Sequence, residues 1–335
     1  MAHSDRAAET ARPRAVTLQD VAREAGVAVS TVSRALSNPD RVSARTREHV
    51  HTIARRLAYR PNLIARALPS GRTGMLALLV TDITNPHHFG LIRGAEAQAR
   101  AAGYTTILAD CQGSQELESD HLQRLDSAVD GFVLASSRLA EANLQRLRGG
   151  RPVVLFNREA DGFPSVVTDS VDGSRQVVEH LTGLGHRRLG YLAGPVAAWS
   201  DGRRWRALQA HAAATGAEIT RMGPFSPTLA DGPAAAAAGL SSGATALVAF
   251  NDLLAIGVLQ QLERQRVQVP QQLSVVGFDD IFGAGFCHPP LSTVSSPAED
   301  AGRALIDLLL GSAAPGARLV LPTRLTVRDS TGPPG

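Results

Sequence analysis

At 335 residues, 44% of them hydrophobic, the chain exceeds what one ordinary core supports and reads as a small domain plus a larger one of about 260 residues. No apolar run approaches the roughly 20 residues of a membrane-spanning helix, and the polar start MAHSDRAAETARPRAV has no apolar stretch of signal-peptide length, so no membrane partner and a cytoplasmic location are expected. Residues 1–72 carry 13 Arg against 6 Asp and Glu while the remainder carries 21 against 25, which puts a basic, partner-binding end at the N-terminus.

Residues 1–15 read as an unstructured tail. After it, Thr17-Leu18-Gln19-Asp20 has the spacing of a capping box, and Leu18, Val21, Ala22 and Ala25 follow on one helical face. Gly26 can take the left-handed conformation that ends a helix. A second helix is read from Val29 to Leu36, with Val32, Ala35 and Leu36 inward and Ser30, Thr31, Ser33 and Arg34 on other faces. Two short helices about a glycine turn make a helix-turn-helix. Ser43 caps a third, whose Val50, Ile53, Ala54 and Leu57 close a small core.

From Met75 onward, strand-like apolar runs alternate with amphipathic segments, at 76–80, 105–109, 131–135, 153–156, 189–193, 246–250 and 273–278. That rhythm belongs to parallel sheets. No GxGxxG follows a strand and no P-loop, GxSxG elbow or HExxH spacing occurs, so no cofactor, metal site or catalytic residue is expected. Cys111 and Cys287 stand in neither CxxC nor metal-ligand spacing and read as two reduced thiols.

The segment VTLQDVAREAGVAVSTVSRALSNPDRVSARTREHVHTIARRLAYRPNLIARAL, residues 16–68, closely resembles the headpiece of the LacI/GalR (lactose/galactose repressor) family. The segments LLVTDITNPHHF, RGAEAQARAAGY, VDGFVLASS, RPVVLFNRE, GHRRLGYLAGP, AFNDLLAIGVL, SVVGFDD and PPLSTVSSP resemble that family's effector domain over nearly its whole length. The resemblance implies an all-α helix-turn-helix headpiece (16–60), a hinge helix and linker (61–73) and an α/β periplasmic-binding-protein-like effector and dimerisation domain (74–330). That domain would hold two parallel-sheet subdomains, 74–167 with 295–318 and 168–294 with 319–330, joined by crossovers near 165–170, 290–296 and 317–321. The function implied is a homodimeric repressor of a palindromic double-stranded DNA operator, controlled by a small effector such as a sugar, polyol or nucleoside.

Residue by residue, the resemblance puts Val29, Ser30 and Arg34 at base-reading positions. Arg34 suits the O6/N7 edge of guanine, Val29 only apolar contact, and Ser30 donors or acceptors alike. Thr17, Thr31, Ser33 and Asn38 read as phosphate contacts or caps. Asn62, Ala65 and Leu68 fall on the hinge helix, with Leu68 as a minor-groove wedge, and Pro69 departs from the family pattern by stopping that helix. In the effector domain Arg204 takes the clamping position, and Asn157, Asn251 and Asp279 take hydrogen-bonding positions. His87 and His88 stand where relatives place two aromatics, and Trp199 can stack on a sugar face or simply form the rim. Each has a plainer alternative: Asp279 as a loop cap, Asn251 as a helix cap, Arg204 on a solvated helix face, and the histidines in packing. A solute-binding protein or an enzyme would lack residues 16–68 or need a catalytic constellation that is absent here.

Overall fold

The computed structural model describes residues 16–37, 41–59, 72–311 and 314–335. The chain divides into two compact units, 1–73 and 74–335.

The first unit is three helices, α1 (Leu18–Ala25), α2 (Val29–Ser37) and α3 (Ala44–Arg56). Thr17 caps α1 in a full capping box with Asp20, and Gly26 ends it at φ 64°, where a side chain would be strained. Ser43 caps α3. The three apolar faces meet in one small core of Val21, Ala22, Ala25, Val32, Ala35, Val50, Ile53 and Ala54. The periodicity of the sequence therefore becomes the packing of the unit.

The second unit holds two six-stranded sheets. Its elements in order are β1 (Met75–Val80), α4 (His87–Ala101), β2 (Thr105–Asp110), α5 (Gln115–Leu125), β3 (Phe132–Ala135), α6 (Glu141–Gln145), β4 (Val153–Phe156) and β5 (Ser165–Thr168). There follow α7 (Ser170–Gly183), β6 (Arg188–Leu192), α8 (Trp199–Ala214), β7 (Glu218–Met222), α9 (Gly232–Ser241), β8 (Ala246–Ala249), α10 (Asp252–Arg264), β9 (Ser274–Phe278) and β10 (Ser292–Ser295). Last come α11 (Ala298–Leu310), β11 (Arg318–Leu321) and β12 (Arg324–Thr326).

The first sheet runs β11-β5-β4-β3-β1-β2 and the second β12-β10-β9-β8-β6-β7. All pairings are parallel except that of β10 with β12. Alternation along β1 sends Leu76, Leu78 and Val80 into one core and Ala77 and Leu79 into the core on the other face, so the strand is apolar at every position. On the first of these faces α4 and α11 touch backbone to backbone: a Cβ placed on Gly302 would lie 2.2 Å from the Leu91 carbonyl oxygen.

The chain passes between the two lobes three times, at residue 169, at 296–297 and at 322–323. All three boundaries differ from the sequence expectation: Ser295, expected in the first subdomain, closes β10 of the second sheet, where it pairs with Arg324. Thr168 closes β5 in the first sheet rather than opening the second subdomain, and residues 319–321, expected in the second subdomain, belong to β11 of the first. The reason is the parallel register of Leu319, Val320 and Leu321 with Val166, Val167 and Thr168, which buries Leu321 in the first lobe's core.

Candidate functional site

In the first unit the side chains expected to face DNA fall into two sets. Thr17 is committed to α1: its backbone N–H and hydroxyl both donate to Asp20 Oδ2, at 2.9 and 2.7 Å. Its role here is that of a cap. Val29 and Ser30 occupy the exposed first turn of α2, Ser33 and Arg34 are also exposed, and Thr31 is half-buried. These residues share one helix whose other face, Val32 and Ala35, is locked into the core. Asn38, Asn62, Ala65 and Leu68, with Pro69, lie outside the described residues.

In the second unit a cavity of about 610 Å³ opens where the carboxyl ends of both sheets face each other. Ligands in open parallel sheets bind at such ends, because that is where the loops converge. From the first lobe come the segments after β1 (Thr81 to His88), β3 (Ser136, Arg138) and β4 (Asn157); from the second come those after β6 (Pro195 to Arg204), β8 (Phe250, Asn251) and β9 (Asp279). Gln112, Ser136, Asn157 and Asp279, all on the wall, have φ between 48° and 113° although none is glycine. Strained backbone concentrated at one cavity marks a functional surface.

Six of the seven effector positions read from the sequence line this cavity: His87, His88, Asn157, Arg204, Asn251 and Asp279. Trp199 does not. It is the first residue of α8, its ring lies 4.9 Å from the Arg203 guanidinium carbon, and Ser200 contributes to the wall instead.

Arg204 is buried, which removes the solvated-face reading. Its guanidinium carbon sits 3.7 Å from the centre of the Phe278 ring and 5.2 Å from that of Phe250, and Nη1 donates to the Phe250 carbonyl. Two aromatic faces and a carbonyl therefore fix its orientation, while buried Nε has no hydrogen-bond partner among the described residues. Asp279 reaches across the cleft to His87, Oδ1 to Nδ1 3.4 Å, a polar contact between the lobes. Burial pushes the Asp279 carboxyl above the usual range, and His87 and Arg204 pull it back. Behind it, Asp252 is fully buried, accepting from Thr293 Oγ1 at 2.5 Å and from the Ile281 N–H at 2.9 Å; burial, followed by the charge of Asp279, raises its carboxyl well above the ordinary range.

The two asparagines do different work. Asn157 Oδ1 accepts from the Thr168 N–H and hydroxyl, both at 3.0 Å, so it braces the first crossing between lobes. Asn251 spends both ends of its amide internally: Oδ1 caps α10 at the Leu254 N–H, 3.0 Å, and Nδ2 donates to the Pro227 carbonyl at 3.1 Å. The helix-cap reading of Asn251 is thus realised in the structure.

His88 is buried with Nε2 3.3 Å from Thr81 Oγ1 and Nδ1 unpartnered. Burial, then the charges of His87 and Arg138, push its pKa down to about 3, so the ring stays neutral in the fold. The unfolded chain takes up the proton that the fold refuses. Stability should therefore fall as pH drops from about 6.5 toward about 3, by at most about 1.4 kcal/mol per unit for one group. His88→Gln is expected to remove that share of the slope of melting temperature against pH. An unchanged slope would place His88 in contact with water.

Sequence reasoning missed Arg138. It stands two residues beyond Ser136 on the loop after β3, at 9% exposure, with its backbone N–H donating to Glu118 Oε2 at 2.9 Å. Its only signal was position, just past the carboxyl end of a buried strand. Among the described residues no cluster of three His, Cys, Asp or Glu side chains forms a metal-binding array.

Comparison with known proteins accords with this arrangement. Residues 17–62 match "Bacterial regulatory proteins, lacI family", and residues 178–331 match "Periplasmic binding protein-like domain". The HTH-type transcriptional repressor CytR of Escherichia coli (strain K12) is 31% identical over 329 residues, covering 95% of this chain and 96% of that protein. The solved lac repressor dimer bound to operator and an anti-inducer superposes with a TM-score of 0.85 at 25% identity, over 95% of this chain and 100% of that one. The CelR–cellobiose complex gives 0.69 at 31% identity, over 95% and 100%.

A helix-turn-helix unit followed by a two-lobed cleft domain, with relatives of this kind over nearly its whole length, defines a DNA-binding transcription regulator and not an enzyme. The chain belongs to the LacI family of bacterial regulatory proteins.

Proposed function

We propose that the protein is a repressor that binds a palindromic operator as a homodimer in the cytoplasm and is controlled by a polyhydroxylated effector, a sugar, polyol or nucleoside, held in the cleft. The observation that carries this reading is the cavity itself, with Asp279 and Arg204 of one lobe facing His87, His88 and Asn157 of the other. A carboxylate and a guanidinium supply complementary acceptor and donor geometry for hydroxyl groups. A ligand that touches both lobes binds one relative position of them better than others, which is the differential affinity that any effector needs. The repressor name of CytR, and the operator and cellobiose in the lac repressor and CelR structures, support the same reading.

Pairing of two chains is supported by the exposed rings of Phe282 and Phe286, with centroids 5.6 Å apart, and of Phe89, 6.4 Å from Phe282. An apolar cluster of that kind on a surface marks an interaction site. On the α2 side, Val29, Ser30 and Arg34 read bases while Thr31 and Ser33 hold the backbone; Asn38 adds a phosphate contact, and Asn62, Ala65 and Leu68 supply the hinge contacts.

Selection of binding sites from random duplex DNA by the full chain tests this. A two-fold symmetric consensus bound by two chains is expected, with an affinity that changes tenfold or more when a member of a sugar and nucleoside panel is added. A chain that selects no sequence would refute it.

A further inference from the structure

Arg138, 9% exposed, lines the cavity wall, and its guanidinium has no hydrogen-bond or ion-pair partner among the described residues. The carboxylates nearest to it in charge are Glu118 and Asp201. Both are engaged elsewhere. Glu118 accepts the backbone N–H of Arg138 itself, and Asp201 accepts from the Tyr191 hydroxyl at 2.8 Å, the Gly194 N–H at 2.7 Å and Arg221 Nη2 at 2.5 Å. Arg158, on the same side, adds positive charge and directs Nη1 to the Ser137 carbonyl.

None of the other acids of the cavity is hydrogen-bonded or ion-paired to the Arg138 guanidinium among the described residues. Asp110 Oδ1 accepts the N–H groups of Ile83 and Gln112, and Asp82 Oδ1 accepts the N–H and hydroxyl of Thr84. Asp279 faces His87. A largely buried guanidinium with no hydrogen-bond acceptor is costly, and an arginine cannot shed its proton to escape that cost. Among the described residues the guanidinium donors of Arg138 are left open on the first-lobe side of the cavity.

We propose that Arg138 is a specificity residue for an anionic effector, a sugar acid or sugar phosphate, whose carboxylate or phosphate docks on this guanidinium while its hydroxyls meet Asp279 and Arg204. The inference rests on the cleft being the effector site and adds the charge of the ligand to it. Planar, bidentate recognition of an oxyanion is what a fixed guanidinium does best. The buried Nδ1 of His88 and Nε of Arg204, both without partners among the described residues, are further hydrogen-bonding groups open to the same ligand.

The test is a thermal-shift and calorimetric titration of the full chain at constant ionic strength with matched probes: D-galactose against D-galacturonate, and D-ribose against D-ribose 5-phosphate. The wild type is expected to bind a charged probe about tenfold or more tightly than its neutral partner, the carboxylate and phosphate arms showing which oxyanion fits. Arg138→Met, of similar reach but uncharged, should lose that preference while its ligand-free melting temperature equals or exceeds that of the wild type. A ligand-free Arg138→Met that melts lower assigns the arginine to the Glu118 and Arg158 network and overturns the proposal. So does a wild type that prefers neither charged probe. Asp279→Asn separates the two readings: if it binds every probe as the wild type does, the ligand site lies outside the cleft, whatever Arg138 does.

Discussion

Asp279→Ala is expected to leave operator affinity flat across an effector titration in which the wild type responds, while effector-free binding to DNA is retained. The carboxylate lies at the carboxyl end of β9 against His87 of the other lobe, so its loss removes both an acceptor for ligand hydroxyls and the polar contact that spans the cleft. A charge-assisted hydrogen bond contributes about 1.5 to 3 kcal/mol, tenfold or more in ligand affinity. A ligand that no longer binds at working concentration cannot shift the DNA-binding equilibrium. Because Asp279 holds φ 113°, Asp279→Asn is the gentler substitution and should show the same loss with less strain.

Arg204→Ala should abolish the response as well, and should also lower the melting temperature. Its guanidinium fills the space over Phe278 and satisfies the Phe250 carbonyl, so truncation leaves a void and an unpaired buried acceptor together. If the ligand acts as a corepressor, both variants instead fail to bind operator tightly under any condition. Fluorescence anisotropy on operator DNA during the effector titration checks this. Variants that keep the wild-type midpoint would place the pocket elsewhere.

Arg34→Ala is expected to weaken binding to the selected operator by about 1 to 3 kcal/mol, roughly 5- to 150-fold, with non-specific binding nearly intact. Arg34 is exposed on α2 one residue from Ala35, which is buried in the core, so the substitution removes a reaching side chain without loosening the unit. Its melting temperature should stay within experimental error of the wild type. Anisotropy with operator and with scrambled duplex, each over a range of salt, measures both affinities. Equal losses on the two duplexes would make Arg34 a backbone contact.

Legible in the sequence were the one-sided apolar faces of α1 to α3, the edge strand β2 and, above all, strands buried on both faces. Strands such as β1 and β8 are covered on both faces, so they read as unbroken apolar runs and were located to within a residue or so. The strands β7, β11 and β12 lie at sheet edges, carry arginine and other polar residues on exposed faces, and show no such run. Four residues long and followed at once by α7, β5 left too short a signal to separate from the turn around it.

The candidate site was legible where a residue follows directly on a buried strand, as Asn157 and Asp279 do, or one residue later, as Asn251 does, since strand ends and cavity wall coincide. Trp199 lies off the cavity wall because the helical geometry of α8 determines which residues of its first turn face the cavity, and that turn offers Ser200 rather than the ring. Arg138 carries no motif, and a guanidinium without a partner among the described residues is a property of three dimensions.

The threefold passage of the chain between lobes also orders events in time. The core of the first lobe includes Ala301, Leu305, Ile306 and Leu309 of α11 and Leu321 of β11, residues made only after the whole of the second sheet up to β10. On the ribosome the three-helix unit can close as soon as it emerges, since its core is contiguous in sequence. The first lobe cannot: until the last forty or so residues arrive, the apolar face of α4 waits for α11, and an unfinished chain exposes it to chaperones and to other nascent chains. A stop codon after β10 would therefore leave both lobes without an edge strand and the first also without α11, instead of removing one lobe and sparing the other.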